Sequence, residues 1–176
     1  MPLVRAGRGA YEKDMFPQDI QRLAQQIVAT AAARGLMVAT AESCTGGLVA
    51  AALTDVPGSS AALDRGFVTY SNEAKAQMLD VASSTLAAHG AVSEETARAM
   101  AAGAVARSRA AVSVAVTGIA GPGGGSPEKP VGLVHFAAVG PRGAVHRVER
   151  FGDIGREAIR LASLRVALEL LADRLA

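Results

Sequence analysis

The stretch Leu36-Met37-Val38-Ala39-Thr40-Ala41-Glu42-Ser43 decides the fold, because a short, largely apolar run ends there in two polar residues. A continuous run of this kind, without polar residues at every second position, is typical of a strand buried on both faces. A helix is predicted before it, since apolar residues recur at helical spacing from Asp19 until Gly35 ends the pattern. Another helix is predicted after it, from Leu48 to Leu53. A buried strand between two helices indicates an α/β fold.

The remaining chain continues the alternation of helices and short apolar strands and then adds an antiparallel hairpin. The further predicted elements, in chain order, are strand 66–71, helix 72–79, helix 93–109, strand 111–116, hairpin strands 131–139 and 144–151, and helix 155–175. We therefore expect a three-layer α/β/α sandwich on a mixed sheet. No repeat or linker divides it, so residues 17–176 are expected to form a single domain after a flexible N-terminal tail at 1–16.

Composition and charge exclude several classes of protein. Half of the 176 residues are hydrophobic and 19% are charged, which is incompatible with a disordered chain. The net charge is +2 and no block of Lys and Arg stands out, so no stable nucleic-acid partner is expected. No window reaches the roughly 18 apolar residues that a membrane span needs. We expect a cytoplasmic protein whose Ala- and Leu-rich helices pack internally or support a homo-oligomer.

The cysteine and histidine residues argue against a metal site. Cys44 is the single cysteine, which excludes an intrachain disulfide and Cys-based zinc clusters. The three histidines, His89, His135 and His146, are scattered without the spacing of a zinc motif. His135 alternates with Leu133 on a predicted strand and is interpreted as a core or edge residue. We expect neither a metal nor a cofactor.

The turn Glu42-Ser43-Cys44-Thr45-Gly46-Gly47 follows the first buried strand, and ligands of open α/β sheets bind at such strand ends. A turn from a strand into a helix presents free backbone N–H groups, which can hold an anion or stabilise an oxyanion while Ser43 faces a pocket. Plain helix capping by Ser43 or Thr45 explains the same residues. Cys44 is a second candidate nucleophile, although a small buried residue is the commoner role of a lone cysteine. Glu42 is able to orient a ligand or a water.

The segment Tyr70-Ser71-Asn72-Glu73-Ala74-Lys75 lies at the end of the next predicted strand. Lys75 falls in the first turn of a helix, where the helix dipole disfavours a cation. Partial burial and positive surroundings would lower its pKa from about 10.4 and make it a usable base. The alternative is a solvated lysine that lies over the helix surface.

Two further segments are candidates for binding a phosphate. The stretch from Thr117 to Ser126 has five glycines in eight residues, so its backbone can approach a phosphate closely. It is neither a Walker loop nor a clean GxGxxG motif, and a plain surface loop is the alternative. The segment Gly152-Asp153-Ile154-Gly155-Arg156 brings Arg156 to the last helix, with Arg160 one turn on. These arginines either contact a phosphate or face solvent.

Four ordered blocks closely resemble the CinA C-terminal domain family, the bacterial nicotinamide mononucleotide deamidases of the PncC type. The blocks span residues 41–47, 66–75, 90–93 and 117–122, and the resemblance covers about residues 18–175. It implies an α/β/α fold and hydrolysis of nicotinamide mononucleotide to nicotinate mononucleotide and ammonia in pyridine-nucleotide salvage. The family is described as serine/lysine amidohydrolases. Its nucleophile matches Ser43, its lysine base matches Lys75, and an assisting tyrosine matches Tyr70.

The resemblance and the residue chemistry together suggest where substrate binds. Backbone amides around 44–47 would stabilise the oxyanion, and the loop at 117–125 would hold the ribose phosphate. The expected substrate-binding residues are Cys44, Thr45, Gly46, Gly47, Thr117, Gly118, Gly121 and Arg156. Family members often show Gly-Asp-Arg before the last helix, whereas this chain has two residues between Asp153 and Arg156, which leaves the register of the arginine open.

Two alternatives to the serine amidohydrolase remain open at the level of sequence. One is an amidase that uses Cys44 as its nucleophile. The other is a non-catalytic nucleotide-binding or regulatory module of the competence-damage type. Many family members also carry an N-terminal nucleotide-processing domain, for which this chain has no room, so we expect no activity of that domain here.

Overall fold

The structure is a computed structural model that describes residues 14–176. Of the predicted N-terminal tail, residues 1–13 lie outside the described residues. Phe16 is buried in the core, and its carbonyl oxygen accepts a hydrogen bond from the side chain of Gln21. The described chain is therefore anchored to the domain from Phe16 onward.

Six helices and five strands form the described domain, together with a short 3-10 turn at Ser59–Ala61. The strands are β1 Val38–Glu42, β2 Leu63–Val68, β3 Val112–Gly118, β4 Leu133–Gly140 and β5 Gly143–Arg150. The helices are α1 Gln18–Arg34, α2 Leu48–Thr54, α3 Asn72–Leu79, α4 Ser83–His89, α5 Glu94–Ala106 and α6 Arg156–Leu175. Among these helices, none is both long and apolar enough to cross a membrane.

The five strands form one mixed sheet in the order β2-β1-β3-β4-β5. The strands β2, β1 and β3 are parallel, whereas β4 and β5 add an antiparallel hairpin. In the register of β1, Glu42 lies opposite Val68 on one side and Val116 on the other. All five residues of β1 are buried, which confirms the two-sided burial predicted for this run. The carboxyl ends of three parallel strands therefore meet at one edge of the sheet.

Helices cover both faces of the sheet, which confirms the three-layer α/β/α sandwich. The helices α1, α2 and α6 pack on one face and α3, α4 and α5 on the other. Successive residues of β1 point to opposite faces, so Val38 belongs to the first core and Ala39 to the second. The largest buried side chains of the first core are Phe136, Ile20, Ile27, Leu53, Ile159, Leu164, Leu168, Leu171 and Leu175.

Two elements differ from the sequence-based expectation. The second strand runs over Leu63–Val68 rather than 66–71, because Ser71 is the N-cap of α3 and its hydroxyl accepts a hydrogen bond from the Ala74 N–H. The helix α4 was not predicted. It has only seven residues and no side-chain cap, so its sequence carries little periodic signal.

A close approach of α5 to α3 gives Gly103 a packing role. A Cβ atom at Gly103 would lie 2.0 Å from the carbonyl oxygen of Leu79. Alanine normally stabilises a helix interior by about 1 kcal/mol relative to glycine. Here the two helices would have to separate, because a Cβ cannot approach a backbone oxygen so closely.

Gly103→Ala is therefore expected to lower the free energy of unfolding by about 1–3 kcal/mol, the usual cost of overpacking. Urea denaturation of the purified protein measures this change. The neighbouring substitution Ala102→Ser adds one atom at an exposed position and serves as the control. A Gly103→Ala variant as stable as the wild type would contradict the packing argument.

Candidate active site

The carboxylate of Glu42 organises the turn that follows β1. It is fully buried and accepts four hydrogen bonds: from Thr45 Oγ1 at 2.7 Å, Gly47 N at 3.1 Å, Val49 N at 3.0 Å and Ala50 N at 2.9 Å. The three backbone donors lie at the start of α2, where helical N–H groups have no partner within the helix. Glu42 thus caps α2, a function that the sequence analysis considered for Ser43 or Thr45.

Capping by Glu42 decides which amides of the turn stay free. The Gly47 N–H is bonded to Glu42, and the Gly46 N–H donates to the Ser43 carbonyl at 3.0 Å. Within residues 14–176, the N–H groups of Cys44 and Thr45 donate to no oxygen. Of the four turn residues expected to bind substrate, two therefore keep an available amide.

Ser43 and Lys75 come together across 32 positions of sequence. The Lys75 Nζ lies 3.1 Å from the Ser43 Oγ and donates to the Thr69 carbonyl oxygen at 2.8 Å. Lys75 is only 1% exposed, which excludes the solvated lysine that the sequence left open. Three residues separate the end of β2 from α3, so Lys75 lies at the same sheet edge as the end of β1.

The environment of this pair favours a neutral amine. Burial lowers the pKa of Lys75 below its ordinary value, and in the described residues Lys75 forms no ion pair with a carboxylate. Burial also raises the pKa of the Cys44 thiol to about 11. The thiol stays protonated at neutral pH, whereas the amine gives up its proton more readily than a free lysine does.

A cavity of about 280 Å³ lies beside this pair. Of the predicted site residues it is lined by Ser43, Cys44, Tyr70, Lys75, Thr117, Gly118, Gly121 and Arg156. Thr45, Gly46 and Gly47 are not among its lining residues. A larger cavity, of about 750 Å³, lies between the start of α1 and the helices α2 and α6, and its lining contains neither member of the serine–lysine pair.

Tyr70 and Arg156 meet at the mouth of the cavity. The Tyr70 hydroxyl accepts a hydrogen bond from Arg156 Nη2 at 3.2 Å, and Arg156 Nη1 donates to the Gly121 carbonyl at 2.9 Å. Tyr70 is 63% exposed. Besides the Ser43 hydroxyl, the group bonded to the Lys75 amine is the carbonyl of Thr69, a residue that the sequence analysis did not single out.

The glycine-rich loop forms the opposite wall. The buried Thr117 hydroxyl donates to the Ala91 carbonyl at 2.7 Å and so ties the loop to the segment before α5. A Cβ at Gly118 would lie 2.6 Å from Val134 Cγ2, so this glycine serves close packing. In the described residues, the N–H groups at 120, 121, 123 and 124 donate to no oxygen. These amides are available to an anionic ligand.

Two of the three scattered histidines form a pair away from the cavity. His135 Nδ1 lies 3.0 Å from His146 Nε2, and His146 Nδ1 lies 3.4 Å from a carboxylate oxygen of Glu94. The half-buried position of His135 on β4 agrees with its interpretation as a core or edge residue. Residues 14–176 contain no group of three or more His, Cys, Asp or Glu side chains suited to a metal ion.

The fold and the site together define an α/β/α protein with a buried serine–lysine pair in a pocket at the carboxyl edge of its parallel strands. Comparison with known families gives the more particular assignment. The CinA C-terminal domain family matches residues 20–175, and the chain belongs to this family.

Known relatives agree with this assignment. The chain is 52% identical over 159 residues to the nicotinamide-nucleotide amidohydrolase PncC of Escherichia coli strain K12, which covers 89% of this chain and 95% of that protein. It is 52% identical over 165 residues to a CinA-like protein of Anaeromyxobacter sp. strain K, covering 93% of this chain. The chain spans 40% of the length of that CinA-like relative. The crystal structure of competence/damage inducible protein CihA from Agrobacterium tumefaciens matches with a TM-score of 0.89 and 60% identity, covering 91% of this chain and 98% of that one.

Glu42→Gln tests the role of the buried carboxylate. The amide keeps the volume but turns an NH2 group toward backbone donors, so at least one buried N–H loses its acceptor. We expect the free energy of unfolding to fall by about 1–3 kcal/mol. Urea denaturation measures the change, with Glu73→Gln, at an exposed acidic residue in the first turn of α3, as the control. Equal stability of the two variants would show that the cap does not need both oxygens of Glu42 as acceptors.

Proposed function

We propose that this protein hydrolyses the carboxamide of nicotinamide mononucleotide, giving nicotinate mononucleotide and ammonia, with Ser43 as nucleophile and Lys75 as general base. The observation that carries the proposal is the 3.1 Å distance between Ser43 Oγ and Lys75 Nζ in a buried pocket. The substrate class follows the name of the E. coli relative, which matches over nearly its whole length.

The reaction begins with proton transfer from Ser43 to the neutral amine of Lys75, since a serine hydroxyl is a weak nucleophile until a base accepts its proton. The Thr69 carbonyl, at 2.8 Å, keeps the amine beside the hydroxyl. The serine oxygen bonds to the amide carbon, and the carbonyl π electrons move onto the oxygen. The free N–H groups of Cys44 and Thr45 are proposed to stabilise this oxyanion.

The tetrahedral intermediate collapses when the C–N bond breaks. Protonated Lys75 gives its proton to the departing nitrogen, which leaves as ammonia, and an ester between Ser43 and the nicotinoyl group remains. Lys75, neutral again, takes a proton from a water that attacks the ester carbon. The Ser43–acyl bond then breaks, the serine recovers its proton from Lys75, and nicotinate mononucleotide is released.

The substrate phosphate is proposed to lie against the loop wall and Arg156. The supporting contacts are the free amides at 120, 121, 123 and 124 and the guanidinium that bonds the Gly121 carbonyl. Tyr70 is proposed to assist from the mouth of the pocket by holding Arg156 through its hydroxyl, at 3.2 Å. Thr117 and Gly118 shape the wall, and Gly46 and Gly47 allow the left-handed backbone of the turn, with φ of 59° and 102°.

We also propose that the enzyme acts in the cytoplasm. A phosphorylated, charged substrate does not partition into hydrocarbon, so it stays in the compartment where it is formed.

Ser43→Ala and Lys75→Met are each expected to lower kcat for ammonia release from nicotinamide mononucleotide by at least about 10³-fold, because the two groups act as one unit. Cys44→Ala is the matched control and is expected to keep most of the activity. Activity that survives in Ser43→Ala but not in Cys44→Ala would assign the reaction to the thiol. A wild-type protein that binds the nucleotide and releases no ammonia would favour the non-catalytic binding module.

The pH dependence of kcat/KM tests the base. Only the neutral amine accepts a proton, so the rate is expected to rise with pH and level off above the pKa of Lys75. Burial lowers that pKa, which moves the rise to a pH below the value of about 10.4 for a free lysine. Lys75→Arg, whose guanidinium stays charged, is expected to be inactive throughout the range. A Lys75→Arg variant that keeps the wild-type rate would exclude Lys75 as the base.

A further inference from the structure

We infer that Arg160 is a positioning residue, which holds the nucleophile turn so that its free amides are available to the oxyanion. This inference rests on the proposed function. Arg160 lies one turn into α6, far in sequence from the turn that it contacts. Its Nε donates to the Cys44 carbonyl at 3.2 Å and its Nη2 to the Thr45 carbonyl at 3.0 Å.

The two contacts fix the orientation of consecutive peptide planes. The Cys44 carbonyl and the Thr45 N–H belong to one trans peptide unit, so they point in opposite directions. Binding of that carbonyl by Arg160 turns the Thr45 N–H away from the guanidinium. The preceding plane is held by the hydrogen bond from the Gly46 N–H to the Ser43 carbonyl, which leaves the Cys44 N–H free. The carbonyls of Ser43, Cys44 and Thr45 thus all accept a hydrogen bond.

The guanidinium also makes the Thr45 N–H a stronger hydrogen-bond donor. A positive charge on a peptide carbonyl withdraws electron density from the unit and makes its N–H a stronger donor, as in any chain of polarised hydrogen bonds. Within the described residues Arg160 forms no ion pair, whereas Arg165 on the same helix pairs with Asp19. The charge of Arg160 is therefore directed to the turn rather than to a carboxylate.

Gly46 is required by the backbone of the turn and not by the space that Arg160 occupies. Its φ is +59°, a conformation that residues with a Cβ rarely adopt. A Cβ there would make only ordinary van der Waals contact with Arg160 Nη2, at 3.6 Å. The two arginines at the start of α6 have different tasks: Arg156 faces the pocket, and Arg160 supports the turn from behind.

Arg160→Met removes the guanidinium while it keeps much of the aliphatic volume. We expect kcat for ammonia release from nicotinamide mononucleotide to fall about 10²-fold, the usual effect of a lost oxyanion donor, with little change in KM. Arg160→Lys is expected to recover part of the rate, because an ammonium can hold only one of the two carbonyls well. Guanidinium ion added to Arg160→Ala is expected to restore activity in a saturable way. Arg165→Ala is the matched control on the same helix and is expected to keep the wild-type kcat.

The outcomes separate this inference from the proposed function. An active wild type together with an Arg160→Met variant of unchanged kcat overturns the role of Arg160 alone. A raised KM at unchanged kcat also overturns it, because Arg160 would then bind substrate. If Arg160→Met does not fold, the comparison of Arg160→Lys with Arg165→Ala decides, and equal kcat values overturn the inference. A wild type that binds nicotinamide mononucleotide without hydrolysing it overturns the proposed function, and the role of Arg160 with it.

Discussion

The rest of the site depends on one interaction: the hydrogen bonds that the buried carboxylate of Glu42 accepts from N–H groups at the start of α2. A carboxyl group removed from water is costly unless donors replace its hydration, and four hydrogen bonds do so here. The contacts join the end of β1 to the first turn of α2. Because Glu42 satisfies the helix start, Ser43 is not needed as a cap, and its hydroxyl is free to lie beside Lys75.

The second constraint is the burial of Lys75 without a carboxylate partner. A buried ammonium costs free energy, and a nearby acid would normally offset that cost while raising the pKa of the lysine. Here the amine has only a hydroxyl and a carbonyl, so its neutral form is favoured. Burial of Lys75 without a carboxylate partner thus costs stability and, at the same time, lets the amine act as a base. Packing and the proposed chemistry are linked in this way.

The parallel part of the sheet and the last helix bring the remaining groups to the same edge. The strands β1 and β3 are neighbours, so the nucleophile turn and the glycine-rich loop face each other across the pocket. The start of α6 then adds two guanidiniums, one bonded to the loop and the mouth tyrosine, the other to the turn. A residue near the C-terminus thus stabilises the backbone next to the nucleophile, a contact that local sequence patterns do not reveal.

Local rules and recognisable motifs were sufficient for much of the fold. The apolar run before Glu42, the spacing of apolar residues in the helices and the two hairpin strands at 131–139 and 144–151 predicted the mixed α/β/α sandwich, because each pattern depends on neighbours in sequence. The same patterns selected Ser43 and Lys75 as candidates, since one follows a buried strand and the other occupies a helix turn that disfavours a cation.

Only the tertiary structure decided which partner each side chain has. Sequence left open whether Ser43 or Thr45 caps α2, but the cap is Glu42. Sequence did not show the partner of Tyr70, whose hydroxyl is bonded to Arg156, or that two scattered histidines meet on adjacent strands. These contacts join residues far apart in sequence, and they are set by strand register and by the packing of α6 over the sheet. Sequence thus determined the elements and the reactive residue types, whereas the positions of their partners depended on long-range packing that no local pattern encodes.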